Sequence, residues 1–329
     1  ALKHTPLCIS QQARGVRTRR QSGPSRIHED AQSGGDNDSS AKAAPRTSQT
    51  ASADCADFVL GLSVRRHSTG YALLRFADLL PLQFGLVDVR KALEEQQKAL
   101  EIAAVLRDLR KTAPEKLQQV DMQFREREEG RWQWVIGVDD STVDRAPPTN
   151  ARGSASHRSV AMLQGLVVGD CKRVFKAAPS LIHPRLSRKH LGVHGQGLAA
   201  RTEVFELASR EVTDFPVVQK KSGALAEDAL LISDAWASAR FTQRQRLVAE
   251  KRSDVRLMAE LRHQALESKQ LRRMREAAEE LHPRKAASDL MDVIESRVTK
   301  LVEERIHQIL DRELRRRGEK LLKAPHAAR

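Results

Sequence analysis

The sequence predicts an α/β fold in which strands and helices alternate around a mixed sheet. Short apolar runs bounded by glycine, proline or polar clusters are typical of strands. The segments between them carry apolar residues at steps of three and four, as helices with one buried face do. Composition changes sharply at both borders of this region. We therefore predict three parts: an arm over 1–56, the α/β domain over 57–245 and a charged helical extension over 246–329.

A hairpin opens the predicted domain. Asp57–Arg75 holds two apolar runs separated by a polar loop over 63–69, and Gly70 precedes the second run. This pattern indicates two antiparallel strands. Leu80–Val89 is a third predicted strand, in which Gly85 marks a bulge or a close approach of another part of the chain.

Helices and a buried strand follow the hairpin. Lys91–Leu109 has apolar residues at helical spacing, and Trp132–Val138, bounded by Gly130 and a polar cluster, is typical of a buried strand. The remaining predicted elements are, in chain order, a loop over 144–156, a helix over 160–168, short apolar segments over 173–175 and 180–182, a basic loop over 183–197, and helices over 198–210 and 225–250.

The arm over 1–56 is rich in Ser, Ala, Gly and Gln. It holds too few apolar residues to offset the entropy lost on ordering, so we predict that it is disordered. Its first 28 residues contain several arginines and no acidic residue. Such a start is typical of an organelle transit peptide, and also of a basic arm that binds RNA. We expect a location in the mitochondrial matrix.

The extension is predicted to be helical on both sides of a break at Pro283. After this proline, apolar residues repeat at steps of three and four within the segment 287–323. The stripe predicts a helix that buries one face, and we expect this face to pack on neighbouring proteins. The segment before Pro283 has a sparser stripe and is expected to be largely solvated or to face RNA.

The balance of charges favours a polyanionic partner. Lysine and arginine number 57 against 43 aspartates and glutamates, a formal net charge of +14. Nucleic acid or an anionic membrane surface fits this balance, and a solvated basic surface without a partner is the alternative. No stretch of 18 apolar residues occurs, so no membrane-spanning helix is expected. The cysteines Cys8, Cys55 and Cys171 lack the spacing of a zinc site or a disulfide framework.

Several strings, taken in chain order, resemble the RuvC-type Holliday-junction resolvases, a family with a ribonuclease-H-like fold. They are LGLSVRRHSTGYALL at 60–74, WVIGVDDS at 134–141, MLQGLVVG at 162–169, HPRLSRKHLGVHGQGLAARTEVF at 183–205 and EDALLISDAWASA at 227–239. In the first string, Thr69, Gly70 and Tyr71 match the turn at which the family's second strand begins. The resemblance covers roughly 57–245 and implies a mixed sheet flanked by helices.

The resemblance also implies a site built from four acidic residues that bind divalent metal ions. Ser63 stands where the family has its first aspartate, and Leu231 stands at the first of two acids on the last helix. Asp139 and Asp234 match the other two positions, Asp139 where a glutamate is usual. Mg²⁺ prefers anionic oxygen ligands, which serine and leucine do not provide at neutral pH. We therefore expect metal-dependent cleavage to be lost or severely weakened.

Three nearby acids are poor substitutes for the missing pair. Asp57 lies at the far end of the first strand, about 20 Å from Ser63 at the usual rise per residue. Asp140 is expected to point to the opposite side of its strand from its neighbour. Asp228 lies one helical turn before Leu231, farther from the end of the sheet.

Asp139 and Asp234 have two interpretations. They hold a single metal ion, or they serve the structure by pairing with Arg65 or Arg66 or by capping a turn. We favour the structural role, because guanidinium groups at the former metal position would repel a cation and attract phosphate.

Basic residues in three places are predicted to contact nucleic-acid phosphates. They are Arg65 and Arg66 in the hairpin loop, Arg185, Arg188 and Lys189 in the basic loop, and Arg315, Arg316 and Arg317 in the extension. The basic loop also carries His183, His190 and His194, but their spacing fits no defined metal site. We therefore predict a solvated loop that faces phosphate.

Together these features lead us to expect a non-catalytic, structural RNA-binding protein without a cofactor or a metal ion. The expected setting is a mitochondrial ribonucleoprotein, namely the mitochondrial ribosome, with structured ribosomal RNA and neighbouring proteins as partners and no membrane. The alternative is an organellar, Mg²⁺-dependent endonuclease that cleaves Holliday junctions with a displaced set of acids. A third interpretation is a chiefly helical scaffold.

Overall fold

The computed structural model describes residues 56–120, 132–140, 151–219, 225–280 and 284–323, with the backbone alone at 151–155, 284–286 and 317–323. The predicted arm over 1–56 lies outside these ranges apart from its last residue, and so does Pro283.

Five strands form one mixed sheet in the order β3-β2-β1-β4-β5. β2 pairs antiparallel with both β1 and β3, whereas β4 runs parallel to β1 and β5 runs parallel to β4. This topology, with helices on both faces, is the ribonuclease-H-like fold, so the predicted fold class is confirmed. The strands are β1 Phe58–Val64, β2 Ser68–Arg75, β3 Pro81–Asp88, β4 Trp134–Asp139 and β5 Ser180–Ile182.

The described helices pack in two layers on this sheet. Helices α1 and α2 cover one face and enclose one hydrophobic core, while α5 covers the other face and shares a second core with the remaining helices. The helices are α1 Glu95–Val120, α2 Ala151–Phe175, α3 Pro184–His190, α4 Gly197–Glu211, α5 Glu227–Ser253, α6 Val255–Leu266, α7 Lys269–Glu280 and α8 Arg284–Lys323.

Helix α5 lies directly on the sheet because the strands beneath it carry glycine. A Cβ atom at Gly61 in β1 would lie 1.9 Å from the carbonyl oxygen of Ala235, and one at Gly70 in β2 would lie 2.4 Å from that of Leu231. Only glycine leaves room for this approach. The predicted close approach at Gly85 is also confirmed, since the ring of Tyr71 covers its α-carbon. The Thr-Gly-Tyr string lies within β2.

Helix α1 is longer than the periodicity predicted. The helix predicted over Lys91–Leu109 begins at Glu95 and continues through Pro114. Ala113 and Leu117 are fully buried and extend the apolar stripe beyond the predicted end. Packing of this stripe on the sheet offsets the backbone hydrogen bond that a proline removes from a helix.

Helix α2 begins inside the loop predicted over 144–156, at Ala151. It also includes the short apolar segment predicted over 173–175. Its small and polar first turns carry little periodic signal, so their helical state depends on the buried turns that follow, where Leu163 and Val167 face the sheet.

The basic loop predicted over 183–197 contains a helix, α3. Pro184 occupies its first turn, where the missing N–H of proline costs nothing. The backbone N–H of Arg185 donates a hydrogen bond to Nδ1 of His183 at 3.1 Å, which caps the helix. This stretch is therefore an ordered element against α5.

The extension packs onto the domain through α5, which passes residue 245 without a break and ends at Ser253. Helices α6 and α7 bury Leu261 and Leu271 against the second core, but most of their other residues are exposed, as expected for a largely solvated segment. The stripe of α8 is buried against the same core of this chain. Our expectation that this face packs on neighbouring proteins is therefore wrong. Its buried members are Ile294, Val298, Val302, Ile306 and Leu310.

Ion pairs line the outer edge of this packing. They join α5 and α6 to α8 at Arg244–Asp311, Lys251–Glu313, Arg252–Glu303 and Arg262–Glu295. None of the helices in the described part of the chain combines the length and the hydropathy that a membrane crossing requires.

Candidate nucleic-acid interface

The fold brings three of the predicted site positions together at one end of the sheet. Ser63 near the end of β1 pairs in register with Asp139 at the end of β4. Asp234 lies on α5, which crosses the sheet above them. All three side chains are buried, at 3% exposure or less. Two carboxylates removed from water in this way require positive partners.

Arg65 is one of these partners. It follows β1 directly, and its Nη2 atom lies 3.4 Å from Oδ2 of Asp139 and 3.9 Å from Oδ2 of Asp234. The hydroxyl of Ser63 donates to the same Asp139 oxygen at 3.1 Å. The predicted pairing of the two aspartates with Arg65 is confirmed.

Two further arginines reach Asp234 from neighbouring helices. Arg201 on α4 donates through Nε to Oδ2 of Asp234 at 2.7 Å, and through Nη1 to Glu227 at 2.6 Å. Nη2 of Arg188, on α3, lies 3.7 Å from Oδ1 of Asp234. Three guanidinium groups thus surround two buried carboxylates.

Burial dominates the electrostatics of Asp139 and raises its pKa to about 7. Arg65 opposes this increase in pKa and the carboxylate of Asp234 adds to it, while the Ser63 hydroxyl and Arg188 make smaller opposing contributions. Asp139 is therefore poised between its neutral and charged forms near neutral pH.

A cleft of about 730 Å³ opens beside this cluster. Arg65, Arg188 and Arg201 form its inner wall, and the exposed side chains of Arg66 and Arg185 form its rim. Leu231 also lines the cleft, at the position where the resemblance implied an acid. Five arginines and one acidic residue, Glu227, thus line the cleft, so its lining is predominantly basic.

The residues present do not fit Mg²⁺. This ion requires anionic or neutral oxygen ligands in near-octahedral geometry. Oδ2 of Asp139 and both oxygens of Asp234 already have guanidinium nitrogens within 4 Å. The three arginines also balance the negative charges of Asp139, Asp234 and Glu227, so the cluster keeps no net negative charge to attract a divalent cation. No step through a metal ion follows from this arrangement.

Asp57 and Asp228, which we expected to be poor substitutes for the missing acids, lie apart from the cluster. The carboxylate of Asp57, at the opposite end of β1, accepts a hydrogen bond from the backbone N–H of Gln133 at 2.8 Å. Asp228 lies 3.8 Å from Arg90. Among the described residues, no group of three or more His, Cys, Asp or Glu side chains is placed to hold a metal ion.

The predicted phosphate contacts divide into exposed and buried side chains. Arg66, Arg185 and Lys189 are exposed, as expected for binding residues. Arg188 is buried and faces Asp234, so its expected place on a solvated loop is wrong. On α8, Arg315 and Arg316 are exposed, whereas the side chain of Arg317 lies outside the described residues.

His190 has a structural place between α3, α5 and α8. Its ring packs 5.8 Å from that of Phe241. Burial and the nearby charges of Arg244 and Arg240 lower its pKa to about 4, so the imidazole is neutral at pH 7.

Arg201 is the site residue that sequence reasoning missed. It lies in the first turns of α4, within the string that resembles the resolvases. The residues around it in the sequence do not distinguish it from an arginine on the exposed face of a helix. Its bond to Asp234 depends on α4 lying against α5, which no local pattern encodes.

No protein-family model and no curated protein matches the chain. Among solved structures, the chain is similar to T. thermophilus RuvC in complex with a Holliday junction substrate, with 14% sequence identity and a TM-score of 0.36. The likeness covers 57% of this chain and 95% of the RuvC chain. What the protein does has to be inferred from its own site.

Proposed function

We propose that this protein binds structured nucleic acid, namely helical RNA, through backbone phosphates in the basic cleft, and that it does not cleave it. One observation carries the proposal: guanidinium groups of Arg65, Arg188 and Arg201 lie within 4 Å of Asp139 or Asp234, where a metal-dependent nuclease would need cations. The cluster therefore converts a cation-binding arrangement into an anion-binding one.

The buried carboxylates organise the arginines rather than neutralise the cleft. Asp234 fixes Arg201 and Arg188 in place, so less side-chain entropy is lost when a phosphate arrives. The forked guanidinium donors match phosphate oxygens geometrically. Arg66 and Arg185 at the rim are exposed and available to the backbone of an incoming helix.

The lining of the cleft favours the backbone over the bases. Among the described residues, it contains no Phe, Tyr or Trp, and its aromatic rings are the two small imidazoles of His67 and His183. Helical RNA offers regularly spaced phosphates and 2′-hydroxyls, which polar and cationic side chains recognise by shape. This supports recognition of a helix rather than of a sequence.

The finer proposal is a structural subunit of a mitochondrial ribonucleoprotein, in the ribosome of the matrix. Its support is compositional: the first 28 residues are basic without any acid, and the whole chain carries a formal charge of +14. Fractionation of cells followed by sedimentation in high salt tests it. Protein found outside mitochondria, or only in light fractions, would overturn this finer proposal and leave the cleft proposal standing.

Binding of a fluorescein-labelled RNA hairpin tests the cleft. In the double variant Arg66→Gln, Arg185→Gln we expect the affinity to fall about 10-fold or more and the slope of log K against log salt to fall by about 2, one for each lost phosphate contact. The matched control is Arg273→Gln, Arg275→Gln, which removes the same charge from exposed positions on α7. Equal losses in both double variants would show that only net charge matters.

Incubation with a four-way DNA junction and Mg²⁺ or Mn²⁺ tests the absence of cleavage. We expect the junctions to stay intact at concentrations of protein and metal ion at which a metal-dependent endonuclease cleaves its substrate. Cleavage that disappears in both Asp139→Asn and Asp234→Asn would replace this proposal with the endonuclease alternative.

A further inference from the structure

A second groove, of about 870 Å³, lies on the other layer of the fold. It is bounded by α1, by the start of β4 and by the end of α2. Trp134 begins β4 and Asp139 ends it, so the length of this strand, roughly 17 Å at the usual rise, separates the groove from the arginine cluster. The two depressions are distinct sites.

Aromatic rings form the floor of this groove. Trp132 and Trp134 line it together with Phe175. The rings of Trp134 and Phe175 lie 4.4 Å apart, and Phe58 stacks on Trp134 from beneath at 4.5 Å. Trp132 is only partly buried, 5.5 Å from Phe58. The floor is therefore held rigid by ring-to-ring packing within the core.

Basic side chains surround the floor. Five of the lining residues are basic and two are acidic. One of the acids, Asp170, is buried and pairs with Arg173. The guanidinium of Arg110 donates to the backbone carbonyl of Val174, which joins α1 to the last turn of α2 and offsets the negative end of that helix. Arg107 and Lys111 are exposed on α1.

We propose that this groove binds an unpaired segment of nucleic acid. A base would stack on Trp132, the ring of the floor that is partly exposed, while the flanking phosphates would contact Arg107, Lys111 and Arg173 on the rim. A duplex hides the faces of its bases, so the aromatic floor favours a single strand. An acidic peptide would satisfy the rim but would leave the floor without a planar partner. The inference uses no residue of the cleft and does not depend on the cleft binding RNA.

Tryptophan fluorescence reports on this groove directly. The chain has three tryptophans, and the third, Trp236, is buried in the core on the other face of the sheet. In a Trp236→Phe background, whose folding is checked by circular dichroism and thermal unfolding, only the groove tryptophans emit. We expect an oligouridylate decamer to quench this emission saturably.

Two variants locate the binding. Arg107→Gln, Lys111→Gln is expected to weaken the decamer at least 10-fold in the quenching titration. The cleft variant Arg66→Gln, Arg185→Gln, with the same loss of charge, is expected to change it less than twofold. The same two double variants are then made in a chain that keeps Trp236. Fluorescence anisotropy of a labelled decamer measures their binding and repeats the comparison without the Trp236 substitution.

Two further probes separate the chemistry. A decamer of abasic deoxyribose phosphate is expected to bind at least 10-fold more weakly and without quenching, because it lacks the base. Decaglutamate is expected to bind no better. Tight binding of either probe to the groove, or a decamer titration that the rim variant does not change, would overturn the proposal.

Discussion

Arg65 lies between two aspartates that the fold has removed from water. Its Nη2 atom donates a hydrogen bond to Asp139 and lies within 4 Å of Asp234. Where a serine replaces the first acid of the implied site, this arginine supplies the positive charge that the remaining acids need. Ser63 completes the exchange by donating its hydroxyl to Asp139. Ser63, Arg65 and the two aspartates therefore pair with one another instead of binding a metal cation.

Asp139→Asn should stabilise the protein at alkaline pH. Because burial raises the pKa of Asp139 to about 7, the folded protein holds a proton between about pH 4 and 7 that the unfolded chain has lost. The free energy of unfolding of the unaltered protein therefore contains a contribution that falls as pH rises through this window. We expect the variant to be more stable by about 1–4 kcal/mol at pH 8, with a smaller difference at pH 5. Urea unfolding at both pH values measures this, and a variant less stable at pH 8 would contradict it.

His190→Gln should change the pH dependence in the opposite direction. Burial, Arg244 and Arg240 lower the pKa of His190 to about 4. Between about pH 6.5 and 4 this histidine is therefore protonated in the unfolded chain but neutral in the folded protein. This contribution to stability is present above pH 6.5 and is lost as pH falls towards 4. We expect the variant to lose less stability than the unaltered protein between pH 7 and 4.5. His194→Gln, which removes an exposed histidine from the same stretch, is the matched control against which the His190 profile is compared.

Among the elements, α5 has the most demanding position, because its backbone rests directly on glycines of the sheet. Most of its residues from Ala229 to Ala239 are buried on every side, so the helix has little of the periodicity by which helices are usually recognised. The same element carries Asp234 and, through its contact with α4, sets the position of Arg201.

Gly61→Ala and Gly165→Ala form a matched pair that tests this packing. A Cβ atom at Gly61 would meet the backbone of α5, and we expect a loss of about 2–3 kcal/mol of unfolding free energy. Gly165 is at an exposed position of α2, and a Cβ atom there would have no neighbour within 4 Å. Alanine should therefore be neutral or should stabilise the helix by up to about 1 kcal/mol. Denaturant unfolding measures both. Equal effects would show that α5 does not lie as close to β1 as the structure has it.

At the scale of the whole molecule, the extension and the sheet share one core. The hydrophobic cluster under α5 runs continuously from Val59 in β1 to Ile306 in α8. Four interhelical ion pairs reinforce the outer edge, but at exposed positions such pairs contribute little. Apolar burial therefore determines whether α8 stays bound to the rest of the chain.

Ile306→Ala should consequently weaken the entire described fold rather than the extension alone. Ile306 is fully buried, and its truncation should cost about 2–4 kcal/mol. We expect tryptophan fluorescence and far-ultraviolet circular dichroism to report one coincident transition, shifted equally for both signals. Val293→Ala, at a position that is about half exposed, is the control and should shift neither. A separate, earlier helical transition would indicate that the extension folds independently.

Local patterns alone were sufficient to predict β1 to β4 and the regions of α1, α4, α5 and α8, because strand alternation, helical spacing and bounding glycines can be recognised within a few residues. Ser180–Ile182 was predicted only as a short apolar segment, because three residues are too few to show a period. They were also sufficient to show that Ser63 and Leu231 cannot bind a metal ion through a carboxylate. The helical state of α3 was missed because a short capped helix has too few turns to show a period.

What the sequence determined by itself is most of the sheet, the positive charge, and the absence of a carboxylate at Ser63 and Leu231, where the resemblance implied acids. Only the tertiary structure decided which side chains surround Asp139 and Asp234. Arg188 and Arg201 come from helices separated in the chain from Asp234, and their convergence depends on α3 and α4 packing against α5. The apolar stripe of α8 likewise predicts that one face of the helix is buried. It does not predict which surface covers that face. Pairing across such distances is a property of packing, and the residue order of any single element does not contain it.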